Sequence, residues 1–284
     1  YVVIVDNFTT GSYEKLPDQT NKNWGFIKAD VNNFEDISSI VVSGAFDYIF
    51  HYAAIVGVQR TLMNPKLVLN DIDGIKNILD LAKNTGVKRV LFSSSSEVYG
   101  EPVEIPQREA TTPLNSRLPY AIVKNVGEAF CRSYQQEFGL DYTIFRFFNT
   151  FGPLQSEDFV ITKFIKQAIH NKDLTIYGDG LQTRTFCFIE DNLDATISSI
   201  KNNIWVNDVV NIGSDIEMTI VDLAKVVIDV TKSKSKIVHL PALKEGDMTR
   251  RKPEISKMMN VLGRNLTKIE DGIRLTAEFI QKKK

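Results

Sequence analysis

The chain has 284 residues, 43% hydrophobic and 24% charged, a balance that builds a packed globular protein and excludes a disordered or fibrous one. Lysine and arginine number 34 against 35 acidic residues, for a net charge of -1. There is thus no global positive field to draw in nucleic acid or an anionic membrane, and any phosphate-bearing partner must be held by a few local cations. No apolar run reaches the roughly 18 residues that span a bilayer, and no charged start precedes a short hydrophobic stretch, so no membrane association is expected and the cytoplasm is the expected location. Cys131 and Cys187 and the histidines His51, His170 and His239 are scattered, which predicts neither a disulfide framework nor a metal site.

Residues 1–5 form an apolar run that empties into the polar loop Asp6-Asn7-Phe8-Thr9-Thr10-Gly11, the pattern of a buried strand and its exit. Further strands are predicted at 24–29, 47–50, 89–94 and 141–146. Between them lie stretches of helical spacing, one carrying the stripe Val68, Ile72, Ile75, Leu79 and Ala82. Strands alternating with helices predict an α/β protein with a doubly wound, Rossmann-like parallel sheet, whose ligands sit at the carboxyl ends of the strands. After Asn149 the rhythm changes to a loop at 152–158, a helix at 159–169 and short strands at 174–177 and 184–188. The expected division is a dinucleotide-type domain over 1–152 and a smaller α/β substrate-binding domain over 153–284, with 186–213 reading as helix then strand and able to rejoin the first sheet.

The sharpest chemical signal is Tyr120-Ala121-Ile122-Val123-Lys124 at the start of a predicted helix. A spacing of four places Tyr120 and Lys124 on one face. A nearby ammonium lowers a phenol's pKa, so the pair is read as a source of tyrosinate or of a polarised hydroxyl that takes a proton from an alcohol. Upstream, the strand from Arg89 ends in Ser93-Ser94-Ser95-Ser96-Glu97-Val98-Tyr99-Gly100, hydroxyls where substrates bind. Ser95 and Glu97 are preferred, because alternate residues of an extended segment face the same way.

These motifs, with Asp30-Val31, His51-Tyr52-Ala53-Ala54, Arg146-Phe147-Phe148-Asn149-Thr150-Phe151-Gly152-Pro153, Tyr177-Gly178-Asp179-Gly180, Thr183-Arg184 and Arg250-Arg251-Lys252-Pro253-Glu254-Ile255, resemble the extended short-chain dehydrogenases/reductases that modify nucleotide sugars. The resemblance implies NAD in the first domain and a nucleoside-diphosphate sugar, UDP-linked, in the cleft. It places Asp6, Asn7, Gly11, Asp30, Val31, Ala53 and Ala54 at the cofactor with Tyr120 and Lys124. Asp6 suits an adenosine ribose and repels the extra phosphate of NADP. Ser95, Glu97, Tyr120 and Lys124 would be catalytic. Ser95, Asn149, Tyr177, Arg184 and Arg251 would hold substrate, a guanidinium's planar fork matching phosphate, with Arg250 left open and His51 read as a core histidine. A homodimer joined by a four-helix bundle of 65–83 and 119–138 is also implied.

One departure is the family's first strand and glycine-rich turn, which would precede Tyr1; the expectation is that the sequence as given omits that segment. The reaction stays open. Ser95-Ser96-Glu97-Val98-Tyr99-Gly100 and Arg250-Arg251-Lys252-Pro253 are similar to UDP-glucuronate decarboxylases, whereas Ala53-Ala54-Ile55-Val56-Gly57-Val58 is more similar to UDP-sugar 4-epimerases. These two rank nearly equal. A 4,6-dehydratase ranks third because Ser96 stands where that pattern has aspartate, and the competing class is a catalytically silent nucleotide-binding regulator.

Overall fold

The computed structural model describes residues 1–242 and 250–282, with the backbone alone at Val58 and Gln59. The chain opens with β1 (Val2–Asp6), which pairs in parallel with β2 (Trp24–Lys28) from Val2 opposite Trp24 to Asp6 opposite Lys28. Helix α1 (Phe34–Gly44) starts at Asn33, whose side chain accepts from the Glu35 amide and satisfies an otherwise orphan donor. Next come β3 (Tyr48–His51), α2 (Val58–Met63), α3 (Pro65–Leu69) and α4 (Asp71–Ala82). The stripe from Val68 to Ala82 is thus shared by two helices meeting at Asn70 rather than carried by one. Then follow β4 (Arg89–Ser95), the 20-residue α5 (Pro119–Phe138) with proline at its first turn, and β5 (Asp141–Phe147).

The later part holds β6 (Thr150–Phe151), α6 (Val160–Ile169), β7 (Leu174–Tyr177), β8 (Thr183–Thr185), β9 (Cys187–Phe188), α7 (Ile189–Lys201) and β10 (Asp208–Ile212). After these come β11 (Glu217–Thr219), α8 (Ile220–Thr231), β12 (Ile237–Leu240), α9 (Ser256–Leu262) and α10 (Ile269–Lys282). The main sheet is parallel, in the order β10-β5-β4-β3, so β10 returns from the later half to pair with β5. The β1–β2 pair is a separate two-stranded sheet, and β7–β12, β8–β11 and β6–β9 form small pairs elsewhere.

Strand alternation builds the two-faced core. Val90 and Phe92 of β4 join Ile37 and Val41 of α1, Ile75 and Leu79 of α4, and Val123 and Cys131 of α5 on one side. Leu91 points the other way, to Phe145, Val210 and Ile212 with Ala195 of α7 and Met258 of α9. A second core gathers Phe164 and Ile165 of α6, Leu174 and Ile176 of β7, Leu223 and Val227 of α8, and Ile273 of α10. No helix among the described residues is long and apolar enough to cross a membrane.

Candidate active site

Every residue of β4 is buried, and its serines end the strand at the mouth of a cavity of about 470 Å³. The cavity wall brings together Ala54, Ser93, Ser95, Glu97, Tyr120, Lys124, Asn149 and Arg251, as the sequence predicted for all but Ser93. Glu97 arrives there for a different reason from the one expected. The chain leaves the strand after Ser95 and curls into a 3-10 turn over Ser96–Tyr99, with Ser95 Oγ accepting from the Glu97 amide at 3.2 Å. Turn geometry, not alternation along an extended segment, puts the two residues side by side.

Tyr120 and Lys124 occupy one face of the first turns of α5, with Lys124 Nζ 5.8 Å from the tyrosine ring centre. The ammonium lies 5.2 Å from the Phe92 ring centre and donates to Ser93 Oγ at 3.1 Å. Burial pulls the Lys124 pKa down to about 8, against the opposing influence of Asp71. The expectation of a lowered Tyr120 pKa is overturned. Burial first, then the Glu97 charge, hold the phenol well above its ordinary value, while the bond to Ser95 and the Arg251 charge oppose them more weakly. Desolvation of the phenolate outweighs the nearby cations, so the side chain is a neutral phenol poised beside a serine hydroxyl. His51 is buried beside Phe92, with burial taking its pKa to about 3, and stays neutral.

Arg251 is 6% exposed, its Nη2 is 3.6 Å from Glu97 Oε1, and its Nε is buried without a hydrogen-bond partner. A desolvated guanidinium with an unspent donor is an anion site. The backbone around it is held on both sides. Gln107 N donates to Lys252 O at 2.7 Å and Glu254 N to Gln107 O at 2.8 Å, while Arg250 bridges to Thr183 and forks onto Glu217 with two 2.6 Å bonds. Arg250, left open by the sequence, is therefore engaged with a carboxylate. Asn149 holds a left-handed backbone (φ 38°) and donates Nδ2 to Thr185 O at 2.9 Å. Tyr177 on β7 and the buried Arg184 on β8 are not in the described lining of this cavity; Lys163 Nζ lies 5.2 Å from the Tyr177 ring centre, and Arg184 donates to Thr183 O at 2.7 Å.

Of the other predicted residues, Asp6, Asn7, Gly11, Asp30 and Val31 lie at the ends of β1 and β2. Asp6 Oδ1 accepts from the Phe8 amide at 2.6 Å, and a Cβ at Gly11 would press on both Asp6 carboxylate oxygens at 2.9 Å. Glycine there keeps the carboxylate accessible, as a ribose diol requires. Asn7 donates to Asp30 Oδ2 at 3.1 Å and the Asn32 amide to Asp30 Oδ1 at 2.9 Å, beside Val31. Ala53 and Ala54 follow β3 with no bulk beyond a methyl. A carboxylate beside a glycine and a strand end without bulky side chains are chemically compatible with a dinucleotide.

Sequence reasoning missed the frame beneath the serines. Glu128, fully buried on α5, receives Arg146 Nε at 2.8 Å, Arg146 Nη2 at 2.7 Å and Ser94 Oγ at 2.7 Å. Arg146 continues to the Tyr99 hydroxyl at 2.8 Å, which donates to Asn211 Oδ1 at 2.7 Å. Glu128 lies four positions after Lys124 on the buried face of α5, a spacing that marks its burial but not its partners.

The model of the NAD dependent epimerase/dehydratase family matches residues 1–213. A UDP-N-acetyl-alpha-D-glucosaminuronate decarboxylase of Bacillus cytotoxicus is 35% identical over 90% of this chain and 82% of its own. A UDP-glucuronic acid decarboxylase of Danio rerio is 33% identical over 99% of this chain and 67% of its own. Among solved structures, the UDP-glucose 4-epimerase of Thermotoga maritima with UDP-glucose superimposes with a TM-score of 0.92 at 28% identity, covering 99% of this chain and 91% of that one. The chain belongs to the NAD-dependent epimerase/dehydratase family.

Proposed function

We propose that this chain decarboxylates a UDP-linked hexuronate, UDP-glucuronate or its 2-acetamido counterpart, through a 4-keto sugar. The carrying observation is the pairing of buried Arg251 with Glu97 at 3.6 Å in the cavity that holds Tyr120. A UDP-hexose offers such a guanidinium only its diphosphate, whereas a hexuronate also presents a carboxylate for Arg251 to hold beside Glu97. The decarboxylase relatives support the same reading.

The cofactor supplies hydride acceptance at sugar carbon 4 and its later return. Tyr120, hydrogen-bonded to Ser95, must first release its own proton to solvent; the resulting phenolate, supported by Lys124, then takes the hydroxyl proton at carbon 4 and becomes the phenol again. Arg251 orients the carboxylate on carbon 5. With a ketone at carbon 4, the electron pair of the bond to the carboxyl carbon moves toward the ketone oxygen, and carbon dioxide leaves. Glu97 repels the departing carboxylate and orders the water that delivers a proton to carbon 5. Asn149, Tyr177 and Arg184 complete the substrate cleft in this reading, and Asp6, Asn7, Gly11, Asp30, Val31, Ala53 and Ala54 the NAD site. The division at residue 152 belongs to the same reading.

The loop Ala53-Ala54-Ile55-Val56-Gly57-Val58, with Gly57 at φ 101° and no proline, favours 4-epimerisation as the second reading, as do the epimerase neighbours. The enzyme works in the cytoplasm as a homodimer in this proposal. Cys131 and Cys187 are free and buried, in keeping with a reducing compartment. Leu67 and Leu69 of α3 and Ile122 of α5 are exposed on helices that pack together, an apolar surface for a helix bundle. Holoenzyme assayed with UDP-glucuronate, its acetamido counterpart and UDP-glucose tests the assignment. Carbon dioxide and a UDP-pentose are expected from an acid substrate; epimer alone favours the second reading.

A further inference from the structure

The segment after β3 and the loop before α6 come from opposite halves of the chain and meet at the cavity. Val56, Gly57 and Thr61 supply wall from the first, and Gln155, Phe159 and Val160 from the second. Between them, Arg60 Nη2 lies 2.8 Å from Asp158 Oδ2, an ion pair whose partners stand 98 positions apart. Their side chains are 34% and 43% exposed and absent from the described lining, although their chain neighbours form it. The pair therefore sits on the rim, where wall gives way to solvent. Each partner is also held by its own loop. Arg60 Nη1 donates to Val56 O at 3.0 Å, and Ser156 Oγ donates to Asp158 Oδ2 at 3.1 Å while accepting from the Asp158 amide at 3.3 Å. The two backbones approach closely here, since a Cβ on Gly57 would lie 3.5 Å from Asp158 Oδ2.

We propose that Arg60 and Asp158 are positioning residues that clasp the two loops over the cavity and keep the 4-keto sugar from leaving before it is reduced. The inference rests on the 4-keto reading given above. A keto sugar has no covalent bond to the protein, so until hydride returns to carbon 4 it is retained by contacts alone, and opening of the rim competes with the next step. In forming it, one hydride passes from carbon 4 to NAD and the hydroxyl proton to the Tyr120 phenolate; the carboxyl carbon then departs as carbon dioxide and carbon 5 takes a proton. A keto sugar that escapes at that stage leaves one NADH on the protein. Part-exposed ion pairs are weak, so removing this one should raise the escape rate by only about two- to fivefold.

The test compares NAD-loaded wild type, Arg60→Ala, Asp158→Ala and the double variant on UDP-glucuronate and its 2-acetamido counterpart. NADH is followed by absorbance and free keto sugar by mass, with Tm measured for each protein. Each single variant is expected to lose keto sugar and accumulate NADH, one for one, about two to five times faster than wild type, with Tm unchanged. The double variant should leak no more than either single one, because both remove the same contact. Release of prebound UDP, which needs no turnover, should quicken by the same factor, and high salt should shrink the difference from wild type. Single variants that match wild type in keto-sugar loss or in UDP release, or a double variant whose leak is the product of the two, would overturn the inference. No NADH in a single turnover of wild type would overturn the 4-keto reading and the inference with it; NADH in that turnover with an unmoved leak in the variants would sink the inference alone.

Discussion

Removing Glu128 should destabilise the protein out of proportion to the size of one side chain. Glu128 and Arg146 are 0% and 2% exposed, and the carboxylate receives two nitrogens of Arg146, at 2.8 and 2.7 Å, one of the half-exposed Arg132 at 3.2 Å, and the Ser94 hydroxyl. Glu128→Ala leaves the guanidinium buried with the Tyr99 hydroxyl at 2.8 Å and the Glu109 carbonyl at 3.4 Å as its remaining partners. Stranding one member of such a pair costs about 3–5 kcal/mol. Replacing both with well-packed apolar side chains removes the stranded charge, so Glu128→Leu/Arg146→Met should recover most of the loss. Urea unfolding followed by circular dichroism measures both, the midpoint falling for the single variant and returning for the double. A Glu128→Ala loss below about 1 kcal/mol, or a double variant worse than the single, would show that the pair does not behave as a desolvated ion pair.

Gly127→Ala should destabilise by about 1–3 kcal/mol despite alanine's helix preference, because its Cβ would strike the Phe92 ring on which Lys124 rests; thermal unfolding checks it. Glu217→Gln removes the charge that clamps Arg250 and should lower kcat for decarboxylation about tenfold with little change in NAD affinity, by loosening the segment that carries Arg251. Lys124 adds a pH term to stability. Its folded pKa of about 8 lies below its ordinary 10.5, so across that window the unfolded chain holds a proton that the folded chain has lost. Unfolding free energy from this group rises with pH there, and Lys124→Met should flatten the slope in denaturation measured from pH 8 to 10. Leu67→Lys should convert a dimer to a monomer by light scattering.

Long periodic features and chemically loaded motifs were legible in the sequence. The strands expected at 89–94, 141–146 and 208–212, each found within one residue of those bounds, and the face shared by Tyr120 and Lys124 follow from local pattern. What the sequence concealed depends on tertiary burial. The Tyr120 pKa moves opposite to expectation because its environment is dry and Glu97 lies close. Asp71 reads as an ordinary acidic helix start until the Ile55 amide is brought to it from a distant segment. Glu128, Arg146, Tyr99 and Asn211 come from α5, β5, the 3-10 turn and β10, and no local pattern announces that they meet. The approach of Arg251 to Glu97, 3.6 Å apart, was hidden because the two are remote in the chain.

Turnover of UDP-glucuronate in D2O tests the central claim most directly, with product composition followed by NMR and released carbon dioxide counted. Loss of the carboxyl group leaves carbon 5 to be protonated from solvent. The account predicts a UDP-pentose carrying one solvent deuterium at carbon 5, with one carbon dioxide per product, and loss of both signals in Tyr120→Phe. A UDP-hexuronate epimer with no deuterium at carbon 5 and no carbon dioxide would contradict the account and leave Arg251 and Glu97 without the role given to them.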